Sequence, residues 1–349
     1  MSKCGTKYLG AEVYQSYNEV KHIYHTCKSR FCTRCGKKAT TEWLRRTWRD
    51  LPEIPYVHVT VTMPKQFREL FRTHKEMERD LPALASRVIE KWAKKNFGAS
   101  LFIVAVLQTY GKWITYNPHV HMLVSLGGLD ETRRKWIESL PFPAEEPFEP
   151  IRTLWRDALT RYLLTVHKNG ALAGTPFASA QFESIIRVQG MRTDWQVNIG
   201  KPRDRKKILE YAGRYMRHPP ISNARIMSYT EDEVVFWVKR KPTKAERASG
   251  KKGPIKEPVH LSLKEFIDRL VLHVQTRYRH GMRFFGLLTP RRKKALKEIV
   301  FQALGQPILP SPGRQSFREM CIKEFGVDPF LDPQGMQMEW KRRLPAQRE

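Results

Sequence analysis

The chain has 349 residues, 41% hydrophobic and 11% aromatic, which is enough to bury a core and too apolar for a disordered tail protein. It carries 63 Lys plus Arg against 35 Asp plus Glu, a formal net charge of +28 that an ordinary metabolic enzyme does not need. Such an excess repels itself unless a polyanion neutralises it, so nucleic acid is the first expected partner and an anionic membrane surface the second.

Residues 1 to about 50 hold four of the five cysteines and end in a helix-like stretch, Thr40 to Asp50. The N-terminus lacks the apolar core of a signal peptide. Leu51-Pro52-Glu53-Ile54-Pro55 marks a boundary. Tyr56 to Met63 is rich in Val and alternates at period two, which predicts a strand. Residues 65 to 97 read as helix. Leu101 to Thr109 and His119 to Ser125 read as strands joined by a turn. The run Leu101 to Leu107 is the most apolar, far short of the roughly 20 residues a membrane span needs. A cytoplasmic protein with no membrane partner is therefore expected.

Residues 130 to 168 read as mostly helical, broken by the prolines between Pro141 and Pro150. Gln181 to Val188 and Trp195 to Ile199 read as strands. Arg203 to Arg217 reads as a helix opened by Pro202 and stopped by Pro219-Pro220. Arg225 to Thr230 and Val234 to Arg240 read as a hairpin, residues 241 to 258 as a basic loop, and Leu261 to Val274 as an amphipathic helix. From about residue 290 the chain is basic and weakly patterned. The expected organisation is a cysteine-bearing module over 1–50, a mixed body over 55–290 and a basic C-terminal extension over 291–349.

Three constellations carry chemistry. Cys27-x4-Cys32-x2-Cys35-Gly36 contains a knuckle that lets two thiolates from one turn share a tetrahedral zinc. Cys4, Cys27, Cys32 and Cys35 supply four ligands, with His22 and His25 as alternates for one position; free buried thiols are the other reading. Four sulfur ligands leave no open coordination position, so the zinc would be structural. The second constellation is His119-Val120-His121, whose side chains point to one face of a strand and can chelate one divalent ion. A plain histidine pair on a strand remains the alternative. The third is Tyr211 and Tyr215, four apart on one helix. Arg203, Arg205, Lys206, Lys207, Arg214 and Arg217 surround them. Positive neighbours favour phenolate, so either tyrosine is a candidate nucleophile toward a phosphate; aromatic packing is the alternative.

Together these motifs resemble the transposases of the insertion-sequence 91 family, two-tyrosine rolling-circle enzymes of the HUH endonuclease superfamily. Four segments carry the resemblance in order: Cys27 to Gly36; Gln108 to Gly111 with Asn117 to His121; Tyr211 to Ser222; and Phe266 to His273 with Arg283 to Leu287. The family also has a cysteine three residues before the position of Cys4, where this chain has Met1. Either the chain starts downstream of the true start, or Cys27 completes the site. With only Cys321 near the C-terminus, no second zinc is expected.

The resemblance implies an α+β fold, with a central antiparallel sheet flanked by helices and the tyrosine helix lying across it. It implies Mg²⁺ or Mn²⁺ on His119 and His121, with Gln108 as third ligand and Glu210 as fallback. It implies attack by Tyr211 or Tyr215 on single-stranded DNA at transposon ends, leaving a 5′-phosphotyrosine and a free 3′-OH. Arg214, Arg217, Lys206 and Lys207 are the expected DNA contacts, and the bacterial nucleoid is the expected location. Three other readings compete. A tyrosine recombinase, suggested by His280-x2-Arg283, needs a later tyrosine, and none follows Tyr278. A plasmid replication initiator shares the chemistry. A non-catalytic zinc DNA-binding protein would use the motifs structurally.

Overall fold

The computed structural model describes residues 3–29, 32–142, 148–192, 194–215, 219–251, 253–274, 281–310, 313 and 315–347. In chain order come β1 (Ala11–Gln15), β2 (Val20–Tyr24), α1 (Thr33–Asp50), β3 (Tyr56–Val61), α2 (Arg68–Thr73) and α3 (Leu81–Phe97). Then follow β4 (Phe102–Tyr110), β5 (Tyr116–Ser125), β6 (Gly128–Asp130), β7 (Lys135–Ile137), α4 (Glu149–Lys168), α5 (Ala180–Met191), β8 (Val197–Ile199) and α6 (Arg205–Tyr215). The rest is β9 (Ile226–Tyr229), β10 (Glu233–Arg240), α7 (Lys244–Ala248), β11 (Ile255–Ser262), α8 (Leu263–Val271), β12 (Met282–Gly286), α9 (Pro290–Ala303), α10 (Phe317–Phe325) and β13 (Glu339–Leu344). Among the described residues no helix is long and apolar enough to cross a membrane.

Two compact units form. One gathers Met1–Arg49, Arg217–Asn223 and Leu309–Glu349; the other holds Asp50–Met216 and Ala224–Ile308. In the first, β1 is the centre of an antiparallel sheet ordered β13-β1-β2. The C-terminal strand therefore completes the N-terminal sheet. Glu12 on β1 accepts hydrogen bonds from Trp340 Nε1 (2.8 Å) and Arg343 Nε (2.7 Å) on β13. Tyr14 packs on Phe330 at 4.8 Å between ring centroids. Nothing in the sequence pattern of Glu339–Leu344 announces this strand, because its side chains are nearly all exposed.

The second unit is built on a five-stranded antiparallel sheet ordered β12-β4-β5-β3-β8. Period-two alternation divides it. Val57, Val59, Val61, Ile103, Ala105, Leu107, Val120, Met122 and Val124 face a core shared with Ala85 and Ile89 of α3, Trp155 and Leu159 of α4, and Ile186 of α5. The other face carries His58, Thr60, Gln108, His119 and His121. Gly286 ends β12 at φ +60, where an added Cβ would strike the Leu101 carbonyl, so only glycine fits. A second sheet, ordered β11-β10-β9, buries Val234, Phe236 and Val238 toward α8, with Phe236 and Phe266 rings 6.0 Å apart.

Three expected elements are corrected. Residues 130–140 are not helical: β6 and β7 form a hairpin, turned by Asp130, whose carboxylate accepts the Thr132 and Arg133 N–H groups at 3.0 and 3.2 Å. Gln181 to Val188 is part of α5. Ser179 caps its start by accepting the Phe182 N–H, and Phe182, Ile186 and Gln189 are buried at helical spacing. The basic stretch 241–258 is not all loop: Thr243 and Glu246 make a capping box for α7, and β11 pairs with β10 along its whole length.

Candidate functional site

Register explains how the histidine strand meets its partners. Gln108 on β4 is opposite His119 on β5, and Thr60 on β3 is opposite His121. Side chains at paired positions share a face. His119 Nε2 lies 3.1 Å from Gln108 Oε1, and His121 Nε2 lies 3.0 Å from the same oxygen. His119 Nδ1 is 2.7 Å from the Asn117 carbonyl, which can only accept, so Nδ1 carries the proton and Nε2 the lone pair. Gln108 Nε2 donates to Tyr110 Oη at 3.0 Å, which orients the amide.

Behind these groups is His58. Its Nε2 lies 2.9 Å from His121 Nδ1, and Thr60 Oγ1 is 3.1 Å from the same nitrogen. Burial is the main cause that lowers all three imidazoles. His58 falls to about 4, helped by the nearby His119 and Arg203. His119 is lowered by burial, opposed by its bond to the Asn117 carbonyl. His121 is lowered well below the usual histidine range by burial and then by His119 and His58. Neutral rings keep lone pairs. Two imidazole nitrogens and an amide oxygen thus converge, a donor set that fits a divalent cation such as Mg²⁺ or Mn²⁺. A cation among them would also relieve the facing lone pairs of His119 Nε2 and Gln108 Oε1.

The tyrosine helix starts beside the first turn of this arrangement. Tyr56 and Arg203 exchange backbone hydrogen bonds of 2.8 and 2.9 Å, pinning the entry of α6 to the start of β3. Asp204 caps α6 by accepting the Lys207 N–H at 2.7 Å. Ile208, Leu209 and Ala212 are buried. Tyr211 then reaches His58, ring centroids 4.9 Å apart, and the Arg203 guanidinium lies 5.2 Å from the Tyr211 ring centre. Tyr215 falls one turn later, in the last turn of α6. The side chains of Arg214 and Tyr215, and all of Arg217, lie outside the described residues.

Other expected residues divide. Lys206 and Lys207 are exposed, and Lys207 pairs with Asp204 at 3.0 Å. Glu210 is exposed on α6. Arg205 is not a cation around the tyrosines: it is buried and bonds the Leu51 carbonyl at 2.9 Å and Glu53 at 3.0 Å. Sequence reasoning missed His58, Thr60 and Tyr110, and it gave Arg203 no separate role. The alternation His58-Val59-Thr60 was the available signal, but it does not say which strand β3 pairs with.

In the other unit, the sulfurs of Cys4, Cys27, Cys32 and Cys35 lie within 4.8 Å of one another. Cys4 and Cys27 are 3.7 and 3.8 Å from Cys35, close to the ~3.8 Å that four sulfurs at ~2.3 Å from one tetrahedral zinc require. The Cys27 N–H donates to Cys4 Sγ at 3.4 Å. The two histidine alternates are engaged elsewhere: His25 Nε2 is 3.0 Å from Glu12 Oε1, and His22 stacks on Tyr24 at 6.1 Å. The four thiols suit a structural zinc.

Known proteins resemble this chain over most of its length. Residues 1–63 match the family described as "Transposase zinc-binding domain", and residues 103–295 match the family described as "Putative transposase". The transposase for insertion sequence element IS801 of Pseudomonas savastanoi pv. phaseolicola is 30% identical over 342 residues, covering 95% of this chain and 78% of that protein. A protein of Sinorhizobium fredii (strain NBRC 101917 / NGR234), described as "Putative transposase y4qJ", is 27% identical over 328 residues, covering 88% and 77%. No solved structure matches the chain. The chain belongs to the insertion-sequence 91 family of transposases.

Proposed function

We propose that this transposase nicks and rejoins single-stranded DNA at transposon ends through a tyrosine nucleophile assisted by a divalent cation. The observation that carries the reading is the convergence of His119 Nε2 and His121 Nε2 on Gln108 Oε1, on the sheet face where Tyr211 meets His58. His119, His121 and Gln108 would hold Mg²⁺ or Mn²⁺. When bound, the cation draws negative charge from the non-bridging oxygens of the scissile phosphate. His121 Nδ1 lies 2.9 Å from His58 Nε2, and a proton on that Nδ1 would leave the His121 Nε2 lone pair toward Gln108. Residues 55–290 carry this chemistry.

The phenolic oxygen of Tyr211 or Tyr215 forms a bond to phosphorus and loses its proton. The bond from phosphorus to the 3′ oxygen breaks, and that oxygen leaves as a hydroxyl after taking up a proton. The product is a 5′-phosphotyrosine that conserves the phosphodiester energy, so the reverse attack by a 3′-OH rejoins strands without ATP. A second tyrosine allows a second transfer before the first is released. Arg203 beside Tyr211 favours the phenolate. Lys206 and Lys207, with Arg214 and Arg217, serve the phosphate backbone. In the N-terminal module a zinc on Cys4, Cys27, Cys32 and Cys35 holds the fold that binds DNA.

A labelled single-stranded end oligonucleotide should form a covalent adduct with the wild type in Mg²⁺ or Mn²⁺ and none when neither cation is supplied. Tyr211→Phe combined with Tyr215→Phe should abolish the adduct. An adduct that survives the double substitution overturns the nucleophile assignment. Equal cutting of duplex overturns the substrate.

A further inference from the structure

We infer that the outer face of the β9–β10–β11 sheet is a second binding surface for single-stranded DNA, with Trp237 as a platform on which a base stacks. The inner face is spent: Val234, Phe236 and Val238 are buried toward α8. Alternation then places Val235, Trp237 and Lys239 on the outer face of β10. Trp237 is half-buried, and its Nε1 donates to the Ala224 carbonyl at 3.1 Å, which fixes the ring. Lys256 Nζ lies 4.8 Å and Lys239 Nζ 5.8 Å from the ring centre.

Two features mark this end of the sheet as more than a solvated surface. Lys239 and Lys256 are directly opposite each other in the β10–β11 pair, an arrangement of like charges that costs stability. The nearby acids, moreover, are already committed. Glu246 and Glu257 both bond Arg240, each at 2.6 Å, and Arg240 holds the Glu246 carboxyl down at about 2. Lys239, Lys241, Lys244, Arg247, Lys251 and Lys256 are exposed here and have no carboxylate partner among the described residues. A polyanion is the complement of such a patch. An aromatic ring set among cations is the arrangement that takes a single strand, because phosphates meet the cations and an unpaired base meets the ring.

The sheet is also fixed to the active-site hairpin. Arg225, at the start of β9, donates to the Lys112 carbonyl at 2.5 Å, and Arg269 of α8 donates to the Trp113 carbonyl at 3.0 Å. Residues 112 and 113 lie in the turn between β4 and β5, the strands that bear Gln108, His119 and His121. A strand held on Trp237 is therefore held by the same compact unit that carries those residues. This surface rests on the single-stranded DNA substrate proposed above and on none of its chemistry.

The test is fluorescence anisotropy of a labelled single-stranded oligonucleotide with the full zinc-loaded chain in buffer without Mg²⁺ or Mn²⁺, where no nicking contributes. Trp237→Ala should weaken binding about tenfold, and Trp237→Phe should stay near wild type because a ring remains. Lys239→Ala with Lys256→Ala should lower the slope of log affinity against log salt by about 1.4, the share of two phosphate contacts. Wild-type affinity and slope in both the Trp237→Ala and the double lysine variant would overturn the platform. Adduct formation by the wild type separates the two readings. A nicking enzyme with unaffected variants loses only the platform. A chain that makes no adduct, but binds through Trp237, loses only the nuclease.

Discussion

His58 makes no contact with the cation's expected donor atoms other than through His121, yet it touches both halves of the site. Its Nε2 lies 2.9 Å from His121 Nδ1 and its ring 4.9 Å from that of Tyr211. We propose it as a positioning residue: a proton on His121 Nδ1 facing His58 would leave the His121 Nε2 lone pair toward the cation. His58→Ala should therefore weaken Mn²⁺ binding about 10- to 100-fold, with an unchanged circular dichroism spectrum. His58→Gln keeps an acceptor and should recover part of the loss. Mn²⁺ affinity equal to wild type in His58→Ala would remove the role. At this scale the sequence was legible wherever local periodicity sufficed. His119 and His121 share a strand face by alternation alone, and Gln108 lies across one hairpin from them. His58 was not legible because its place depends on β3 pairing with β5 across about sixty intervening residues, which no local pattern reports.

β3 was legible from the period-two alternation of Tyr56 to Met63, and β4 from its near-continuous apolar run. The errors came from weaker signals. Gln181 to Val188 read as a strand, but the Ser179 cap and the buried Phe182-x3-Ile186-x2-Gln189 spacing decide for helix. This predicts a sharp asymmetry. In a strand Ile186 and Val188 would share a face; in the helix Ile186 is fully buried and Val188 is 51% exposed. Ile186→Ala should cost about 2–5 kcal/mol in chemical denaturation and Val188→Ala about 0.5 kcal/mol or less. Similar losses at both positions would contradict the helical assignment. β11 was hidden for another reason. It is an edge strand with Pro258 and exposed charged residues, features that suit an edge and read as loop.

For the molecule as a whole, the joining of the chain's two ends was the least legible feature. β13 pairs with β1, and Glu12 gathers Trp340, His25 and Arg343 around one carboxylate. Those hydrogen bonds, led by Trp340, hold the Glu12 carboxyl down at about 2 from the usual 4.5. A carboxylate with a lowered folded-state value stabilises the fold fully above about 4.5 and loses that contribution as pH falls toward 2. Glu12→Gln should therefore lower the Tm at neutral pH, and the gap to wild type should narrow as pH falls through that window. A gap that stays constant with pH would dissociate Glu12 from the joining of β1 and β13. The net charge of +28 also takes a different meaning at this scale. Some cations are structural, as Arg205 and Arg240 are, so not all of the charge is available to DNA.

The central claim is that Tyr211 and Tyr215 form the covalent bond to DNA beside a cation held by His119, His121 and Gln108. The most direct measurement is to trap the wild-type adduct on single-stranded end DNA in Mn²⁺, digest both components and map the nucleotide-bearing peptide by mass spectrometry. A nucleotide linked through phosphate to Tyr211 or Tyr215, absent from Gln108→Ala or from samples given no Mg²⁺ or Mn²⁺, is the predicted result. A nucleotide on any other residue, or an adduct that forms equally without the metal, would contradict it.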